Sequence, residues 1–367
     1  MKVIFDRRAL LAALSPAVNV TPRRNTIEIL GFVLIDALMG ECRFRATDLD
    51  MESVSSCVAD VAEIGVVAVD ALKLREAVQL CGPEVTLEHG LDKDPRLAVK
   101  SGNTRFRLPV LPPETLPETP SRDWQSVFEI GHADLLELLE SVSYAVSKDM
   151  GQFYLTGVRI EARGGELWAV ATNKHRIAKA SAGVVGAGQM PGITVPIKMV
   201  QEVVSALGRH VGPVTVSVSE GAFRVQAGET TLTSKVIEAD YLDFSRAIPN
   251  ETPHTARAGR TELIEAIKRG ALAGDTGAEG QGVRMTFSEG SLSLLGKTAD
   301  ADSLDEIGVY YSGPTVSVGV VARYMLEALS KLDGDIVDLG FGGSAVKITS
   351  EASPNIVMTV GTRIVPL

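Results

Sequence analysis

His175 is the histidine whose neighbours come closest to a catalytic set. It lies in the segment Thr172-Asn173-Lys174-His175-Arg176. A catalytic base needs a nucleophile within hydrogen-bond reach and commonly a carboxylate that orients it, and the sequence offers no convincing set. The sequence also contains no G-x-S-x-G, H-E-x-x-H or glycine-rich dinucleotide motif. A small-molecule hydrolase using His175 is therefore a weak hypothesis.

Two further patterns resemble ligand sites without completing them. Gly296-Lys297-Thr298 matches the end of a phosphate-binding P-loop, but Ser291 stands where that motif needs its first glycine. The acidic runs at 48–50 and 300–302 lack the central glycine and distal glutamate of a calcium-binding EF-hand loop. We expect polar turns or a subunit contact at these positions, and the sequence predicts neither a metal nor a cofactor.

Cysteine usage and charge set broad limits. Cys42, Cys57 and Cys81 form no C-x-x-C pair, which predicts buried or idle thiols in a reducing, cytoplasmic location. The formal net charge of −10 argues against nucleic-acid binding when the molecule is taken as a whole. An acidic protein can still carry a basic surface, so the distribution of the charges decides this question.

The elements that position these residues recur along the chain. An amphipathic helix pattern, with apolar residues every three or four positions, appears at 7–14, 133–139 and 261–267. A second helix, predicted at 72–80, 198–207 and 323–332, follows a strand-like segment each time. Glu76, Glu202 and Glu327 align within this second helix. Thr47, Thr172 and Thr298 each precede a polar turn after an alternating strand.

Short alternating segments separated by turn residues fill the space between the helices, which indicates antiparallel sheet with one solvated face. Each repeat then holds about two helices and eight strands. The predicted fold class is therefore α+β, with domains at 1–121, 122–250 and 251–367. Proline-rich segments at 111–117 and 249–253 mark the boundaries.

Four segments resemble motifs of the bacterial DNA polymerase III β sliding clamp family. Residues 171–178, ATNKHRIA, are similar to the family's A-T-D-G-H-R-L-A, and residues 233–244, TSKVIEADYLDF, are similar to T-S-K-L-I-D-G-x-F-P-D-Y. In the first repeat, residues 46–51 resemble G-T-D-L-E-M and residues 101–106 resemble S-G-R-S-R-F. The match runs from end to end with the three-fold repeat.

The resemblance implies a non-catalytic processivity factor. Two subunits, six domains in all, would close a head-to-tail ring around duplex DNA, with helices inside and sheets outside. The implied partners are double-stranded DNA without sequence preference, a second copy of the chain, and replication proteins with clamp-binding peptides. The last group comprises the polymerase catalytic subunit, the clamp loader and other replication or repair proteins.

The resemblance also assigns candidate residues to the ring. Sliding requires weak, sequence-independent phosphate contacts, which basic and polar side chains on the channel side would supply. The channel candidates are Arg23, Arg24, Lys73, Lys148, Gln152, Tyr154 and Lys198. The candidates for the subunit interface are Arg105, Phe106, Leu272, Asp300, Asp302, Asp305 and Glu306.

A peptide pocket is implied between the second and third domains. Its candidate residues are Leu155, Thr172, Lys174, His175, Arg176, Ile177, Leu242, Arg246, Val360 and Arg363. Three features depart from the family pattern: Lys174 replaces a glycine, Leu242 replaces a proline, and the tail from Val360 to Leu367 replaces M-P-M-R-L. We expect Lys174 to narrow the groove and Gly361 to loosen the final strand, so a generic clamp peptide should bind more weakly.

An alternative of a different class remains open at this point. An accessory or decoy protein with the clamp fold could bind replication proteins without acting as the principal processivity factor. The divergent pocket motivates this alternative. Closure of a dimeric ring on DNA discriminates between the two, because an adaptor needs no basic channel.

Overall fold

The computed structural model describes residues 1–22, 24, 26–90, 96–120, 122–188, 190–245, 247–277 and 280–364. The candidates Arg23 and Arg246 and the end of the tail at 365–367 lie outside the described residues. Within these ranges, no helix is long and apolar enough to cross a membrane.

The first third of the chain has two helices among short strands. Asp6 caps the first helix, since its carboxylate accepts hydrogen bonds from the backbone N–H groups of Arg8 (2.9 Å) and Ala9 (3.0 Å). The elements are β1 (Lys2–Asp6), α1 (Arg7–Val20), β2 (Phe32–Ala37), β3 (Glu41–Thr47), β4 (Met51–Val58), β5 (Asp60–Glu63), β6 (Gly65–Asp70), α2 (Ala71–Gln79), β7 (Glu84–Glu88), β8 (Arg96–Ser101) and β9 (Thr104–Leu111).

The middle third repeats this order. Its elements are β10 (Ser126–Gly131), α3 (His132–Ser143), β11 (Gly157–Arg163), β12 (Glu166–Thr172), β13 (Arg176–Gly183), β14 (Met190–Pro196), α4 (Ile197–Leu207), β15 (Pro213–Ser219), β16 (Ala222–Ala227) and β17 (Thr230–Lys235). A 3₁₀ segment at Met150–Leu155 precedes β11.

The last third does so again. It contains β18 (His254–Gly259), α5 (Arg260–Leu272), β19 (Thr276–Gly277), β20 (Gly280–Ser288), β21 (Ser291–Lys297), β22 (Asp302–Tyr310), β23 (Val316–Val321), α6 (Ala322–Leu329), β24 (Ile336–Phe341), β25 (Ala345–Ser350) and β26 (Ser353–Gly361). The predicted α+β repeat of about two helices and eight antiparallel strands is confirmed. The predicted helix at 323–332 ends earlier, at Leu329.

The chain forms two compact units, each with one large sheet. The first unit comprises 1–136, 184–190 and 198–237, and the second comprises 137–183, 191–197 and 238–367. The sheet of the first unit has the order β10-β15-β16-β17-β4-β3-β2-β6-β9-β8-β7-β1-β5. The sheet of the second has the order β14-β11-β12-β13-β26-β25-β24-β18-β22-β21-β20-β19, and β23 also pairs with β20.

Within each unit, one antiparallel pair joins strands of neighbouring repeats. In the first unit β17 pairs with β4, from Thr230↔Ser55 to Ser234↔Met51. In the second unit β13 pairs with β26, from Arg176↔Val360 to Ala180↔Ile356. The backbone hydrogen bonds of these edges are thereby satisfied by a neighbouring repeat.

The core of the first repeat shows why its helices form where they do. The apolar stripe of α1, with Leu10, Ala13 and Leu14 almost fully enclosed, belongs to one buried cluster with Phe5 and Phe44. Such a stripe must cover a sheet to leave water, and this burial is the main stabilising term for a helix of this length.

Two turns share one hydrogen-bond frame. The Thr47 hydroxyl donates to the carbonyl oxygen of Met51 (2.9 Å) and accepts from the N–H of Leu49 (3.0 Å). Thr172 makes the same two bonds, to Arg176 (2.7 Å) and from Lys174 (3.0 Å). Leu49 and Lys174 accordingly adopt left-handed backbone, with φ of 78° and 73°.

The third turn differs from this frame. Strand register pairs Thr47 with Glu52, Thr172 with Ile177, and Lys297 with Asp302. Lys297, not Thr298, therefore occupies the equivalent position in the last repeat. The Thr298 hydroxyl instead bonds Ala301, donating to its carbonyl oxygen (3.2 Å) and accepting from its N–H (3.1 Å).

The left-handed backbone of Leu49 generates a stability prediction. Replacing Leu49 with glycine removes the clash between Cβ and the backbone that this conformation imposes, so we expect the free energy of unfolding to rise by about 1 kcal/mol. Leu49→Ala keeps the Cβ and serves as the matched control. Urea unfolding of both variants measures the difference, and a Leu49→Gly protein no more stable than Leu49→Ala would contradict the strain.

Candidate functional site

The loop between β12 and β13 presents three consecutive side chains on a fixed backbone. Besides the Thr172 bonds, the Asn173 side-chain oxygen accepts from the N–H groups of His175 and Arg176, both at 3.1 Å. Lys174 and His175 are exposed at the tip, whereas Arg176 is 6% exposed. The frame therefore fixes the direction of the tip residues without using their side chains.

The tail of the chain is bonded to this loop. The N–H of Gly361 donates to the carbonyl oxygen of His175 (2.8 Å), and that of Thr362 donates to Ser344 (2.9 Å). A Cβ at Gly361 would lie 3.0 Å from the His175 oxygen, so glycine permits the close approach. Gly361 is thus paired on both sides, and this bonding does not support the expected loosening of the strand.

A cavity of about 510 Å³ lies between the loop, the tail and α6, within the usual range for ligand sites. It brings together Lys174, His175, Arg176, Ile177 and Arg363 of the predicted set. The rest of its lining is Ala247, Val321, Tyr324, Ser344, Ala345, Thr359, Gly361 and Thr362. Sequence reasoning missed Tyr324, although its place in the second repeated helix, three positions before Glu327, was a signal that it faces the loop.

The other pocket candidates have supporting positions. Leu155, Thr172 and Val360 are fully buried and hold the loop and strand from within. Leu242 is 39% exposed and is not among the lining residues. Arg246 lies outside the described residues, and its neighbour Ala247 contributes to the lining.

Arg176 forms a cationic floor beneath this cavity. Its guanidinium carbon lies 4.9 Å from the Tyr144 ring centre and 4.6 Å from that of Tyr324, a cation–π arrangement on two rings. It also donates to the Glu327 carboxylate and to the carbonyl oxygen of Tyr144. Burial lowers the pKa of Arg176 from its ordinary value, and burial likewise raises the pKa of the Tyr144 phenol.

Two aromatic contacts involve the exposed residues at the loop tip. The His175 ring stacks on Tyr324 with centres 6.4 Å apart and planes 14° apart. The Lys174 ammonium lies 5.6 Å from the ring centre of Tyr154, so this channel candidate also contacts the loop. The pocket thus combines aromatic surface, a buried guanidinium and an exposed ammonium.

The remaining channel candidates fall into two groups. Arg24 and Lys148 are exposed, and no ion pair involves them among the residues described. Three others are already bonded within the chain: Lys73 to Asp70 at 3.2 Å, Lys198 to Asp48 at 2.6 Å and to the Val20 carbonyl at 2.8 Å, and Gln152 to Asp149 at 3.0 Å.

The interface candidates lie on β9, α5, β22 and the turn before β22. Arg105 is exposed and Phe106 is half-buried against the core of the first repeat. Leu272, the last residue of α5, is 86% exposed. Asp300 and Asp302 are exposed, whereas Asp305 is paired with Arg269 at 2.6 Å and Glu306 accepts from the Ser291 hydroxyl at 2.5 Å.

The segments that resemble catalytic or ligand sites have structural explanations. Gly296-Lys297-Thr298 joins β21 to β22, so it lacks the helix that a P-loop must open. The Asp48 carboxylate accepts hydrogen bonds from the N–H groups of Asp50 (3.0 Å) and Met51 (2.7 Å). The Asp50 carboxylate forms an ion pair with Lys235 at 2.8 Å. Burial raises the pKa of Cys57 to about 11, and that of Cys42 further, which makes both thiols poor nucleophiles.

Comparison with known proteins gives one consistent result. Family models of the DNA polymerase III beta subunit match in order: the N-terminal domain at residues 1–120, the central domain at 129–243 and the C-terminal domain at 245–360. The beta sliding clamp of Caulobacter vibrioides is 31% identical over 98% of this chain and 96% of its own length. The chain belongs to the beta sliding clamp family.

Other members of the family agree. The beta sliding clamp of Escherichia coli K12 is 29% identical over 98% of this chain and 99% of its own length. A crystal structure of the Caulobacter crescentus sliding clamp matches with a TM-score of 0.91, 30% identity and complete coverage of both chains. The Pseudomonas aeruginosa clamp, solved bound to griselimycin, matches with a TM-score of 0.94 at 26% identity, again over both whole chains.

Membership settles the class of function. Beta clamps are non-catalytic processivity factors of DNA replication, and so is this chain. The hydrolase hypothesis for His175 is therefore wrong, and the adaptor alternative is not favoured. The chain is 31% identical to the Caulobacter vibrioides clamp, and Lys174 in its loop adopts left-handed backbone.

The buried Arg176 pair generates a prediction. Glu327→Gln keeps the shape but leaves the buried guanidinium without a carboxylate, so we expect a loss of about 1–2 kcal/mol in the free energy of unfolding, a figure discounted for the 40% exposure of Glu327. Glu265→Gln breaks the exposed pair with Lys268 and should leave the free energy of unfolding almost unchanged, because water screens that pair. Equal effects of the two substitutions in denaturant unfolding would refute the role of the pair.

Proposed function

We propose that this clamp closes a head-to-tail homodimeric ring around duplex DNA and tethers replication proteins through the cavity at the Arg176 loop. The partners are the polymerase catalytic subunit, the clamp loader and other replication or repair proteins, bound through short extended peptides. The observation that carries this proposal is the repeated pairing of strands between neighbouring repeats. The two described junctions use equivalent strands: β17 pairs with β4, and β26 pairs with β13 in the same way. The first repeat has a strand equivalent to β17 and β26, and the third has one equivalent to β4 and β13, and neither has such a partner among the described residues.

The leftover strands are β9 and β22. β22 follows the third turn as β4 and β13 follow the first two, and β9 closes its hairpin as β17 does. In the described residues, β9 pairs with β6 only at Val110 and Leu111, and β22 pairs with β18 only at Val309 and Tyr310. Equivalence between the repeats implies that β22 of one subunit pairs with β9 of another. Two such junctions close a ring of two subunits.

The β17–β4 junction, taken as the template, predicts a register for that pair. Thr230 and Thr104 occupy the same hairpin position, opposite Ala227 and Ser101 respectively. Thr230 pairs with Ser55, three residues after Glu52, and the equivalent third residue after Asp302 is Asp305. Thr104 should therefore face Asp305 of the other subunit, Arg105 should face Leu304, and Phe106 should face Ser303.

This register places suitable side chains together. Same-face neighbours in a sheet lie two residues to either side of the opposite residue, so Arg105 lies between Asp302 and Glu306. The Ser303 hydroxyl donates to the carbonyl oxygen of Gly270 at 3.0 Å, so its face of the strand is that of α5. Phe106 opposite Ser303 would then lie near the exposed Leu272 at the end of α5.

The second helix supports the same junction. Lys73, Met199 and Tyr324 are each the third residue of their helices. Met199 and Tyr324 are buried. Lys73, the equivalent residue of the first repeat, is exposed, with 58% of its side chain accessible. This position favours a subunit-junction role for Lys73 over the channel role proposed from the sequence.

The dimer generates a test in solution. Phe106→Ala combined with Leu272→Ala removes the apolar contact that ring closure would bury, so we expect monomers in sedimentation at micromolar concentration. Val58→Ala with Val211→Ala, at apolar positions as exposed as Leu272, is the control and should leave dimers intact. An unchanged dimer in the first variant would refute this interface.

DNA retention tests the ring itself. A loaded ring is held by topological linkage, so we expect it to remain on nicked circular DNA at high salt and to leave linear DNA, whereas direct binding before loading is weak and strongly salt-dependent. Arg24→Ala with Lys148→Ala should impair loading without affecting dimerisation, since neither side chain is in an ion pair among the described residues.

Equal retention on linear and circular DNA, without end blocks, would contradict the topological account. A monomer that still bound clamp peptides would favour the adaptor alternative instead. Lys198→Ala is a poorer variant for loading, because Lys198 also bonds Asp48 and the Val20 carbonyl, and its loss would disturb the first unit.

A further inference from the structure

A second cavity, of about 310 Å³, lies within the first unit. It is built from the turn between β3 and β4, from β17, and from the segment that follows the proline-rich boundary. Its lining is Thr47, Leu49, Asp50, Met51, Glu52, Pro117, Glu118, Thr119, Pro120, Arg122, Thr233, Ser234 and Lys235. Neither the sequence nor the proposed ring assigned a ligand to any of these residues.

The two cavities have the same construction. Both use a turn framed by a threonine hydroxyl with a left-handed residue at its tip, Leu49 in one and Lys174 in the other. Both use the strand of the next repeat that pairs with the end of this turn, since Ser234 faces Met51 as Val360 faces Arg176. The backbone architecture that makes a peptide groove at the second junction is therefore also present at the first.

The side chains of this second cavity differ in a way that specifies a ligand. Met51 lies at the position equivalent to Arg176, so the base of this cavity is apolar instead of cationic. Leu49, Pro117 and Pro120 provide further apolar lining. This surface suits one apolar side chain of a ligand.

Two polar groups in the lining lack partners. Ser234 is 3% exposed, and its hydroxyl has no hydrogen-bond partner in the part of the chain that the structure describes. The buried Nε of Arg122 is likewise unpartnered there. Native structures leave few buried polar groups unsatisfied, so the unpartnered Ser234 hydroxyl and Arg122 Nε at one cavity point to a hydrogen-bonding ligand.

The charges select the polar part of that ligand. Asp50 is paired with Lys235 and Glu52 with Arg45, both at 2.8 Å, which leaves the exposed Glu118 as the other acidic lining residue. Arg122 is in no ion pair among the described residues. Its guanidinium can therefore take a ligand carboxylate, and such charge-assisted bonds are the stronger ones.

We propose that this cavity is a second peptide-binding site, which takes an extended peptide with an apolar side chain followed by an acidic one. The apolar side chain packs against Met51 and the two prolines, the carboxylate binds Arg122, and the Ser234 hydroxyl bonds the peptide main chain. The proposal rests on the peptide-tethering function proposed above for the Arg176 cavity, and extends it to a site of different specificity.

Methionine-methyl NMR on the full chain tests the site directly, because Met51 lines the cavity. The probes are acetyl-Leu-Asp-amide and its uncharged match acetyl-Leu-Asn-amide. We expect the Met51 methyl signal to shift and saturate with both probes, with the Asp probe bound about tenfold more tightly. Arg122→Gln should abolish the preference for the Asp probe, and Ser234→Ala should weaken the binding of both probes. The methyl signal of Met358, buried in β26, is the internal control for folding and for binding elsewhere.

A Met51 signal unmoved by either probe would overturn the proposal. Equal affinity for the two probes in both the unaltered protein and Arg122→Gln would overturn it as well. Failure of the proposed function is distinguishable, because it would appear as a lack of dimers or of retention on circular DNA while the Met51 response persisted. If the Met51 signal did not respond while dimerisation and DNA retention were normal, the second site would be refuted and the proposed function would stand.

Discussion

An antiparallel strand at the edge of a sheet leaves backbone N–H and C=O groups without strand partners, and the pairing of such edges between repeats organises each unit of the chain. Each repeat presents two such edges. The pairing of β17 with β4 and of β13 with β26 satisfies two junctions within the chain. Because the strands involved are equivalent by repeat, the same pattern indicates which strands would pair with another subunit in the proposed ring.

The same junctions create the cavities. Where a strand of one repeat meets the turn of another, the turn tip, the partner strand and the connecting segment leave a concave surface. Backbone hydrogen bonds fix this surface in both units, so its chemistry depends on side chains alone. Arg176 between two tyrosines makes one floor polar and cationic, whereas Met51 makes the other apolar. One architecture thus forms two cavities with different surface chemistry.

Much of the fold was predictable because it rests on periodicity. The repeated helices begin within one residue of their predicted starts, and Glu76, Glu202 and Glu327 are each the sixth residue of α2, α4 and α6. The one-residue error at Thr298 arose because a turn was aligned by residue type, while strand register depends on the pairing of Lys297 with Asp302.

The site was less predictable, since its partners are remote in sequence. The motif around Arg176 indicated a loop, but its contacts with Tyr324 and Glu327 depend on tertiary packing across about 150 residues of chain. For the same reason, a list of basic residues did not distinguish Lys198, whose charge is used by Asp48, from the exposed Arg24. Gly361 was read as a source of flexibility, whereas close approach to His175 explains it.

The threonine-framed turn has a consequence for how such a protein diversifies. The frame uses a hydroxyl, an Asn or Asp side chain and the backbone, and it places no demand on the side chains at the tip beyond tolerance of left-handed backbone. Substitutions there can accumulate with little effect on folding. The chemistry of the turn surface can therefore change at a few tip positions while the backbone frame stays the same.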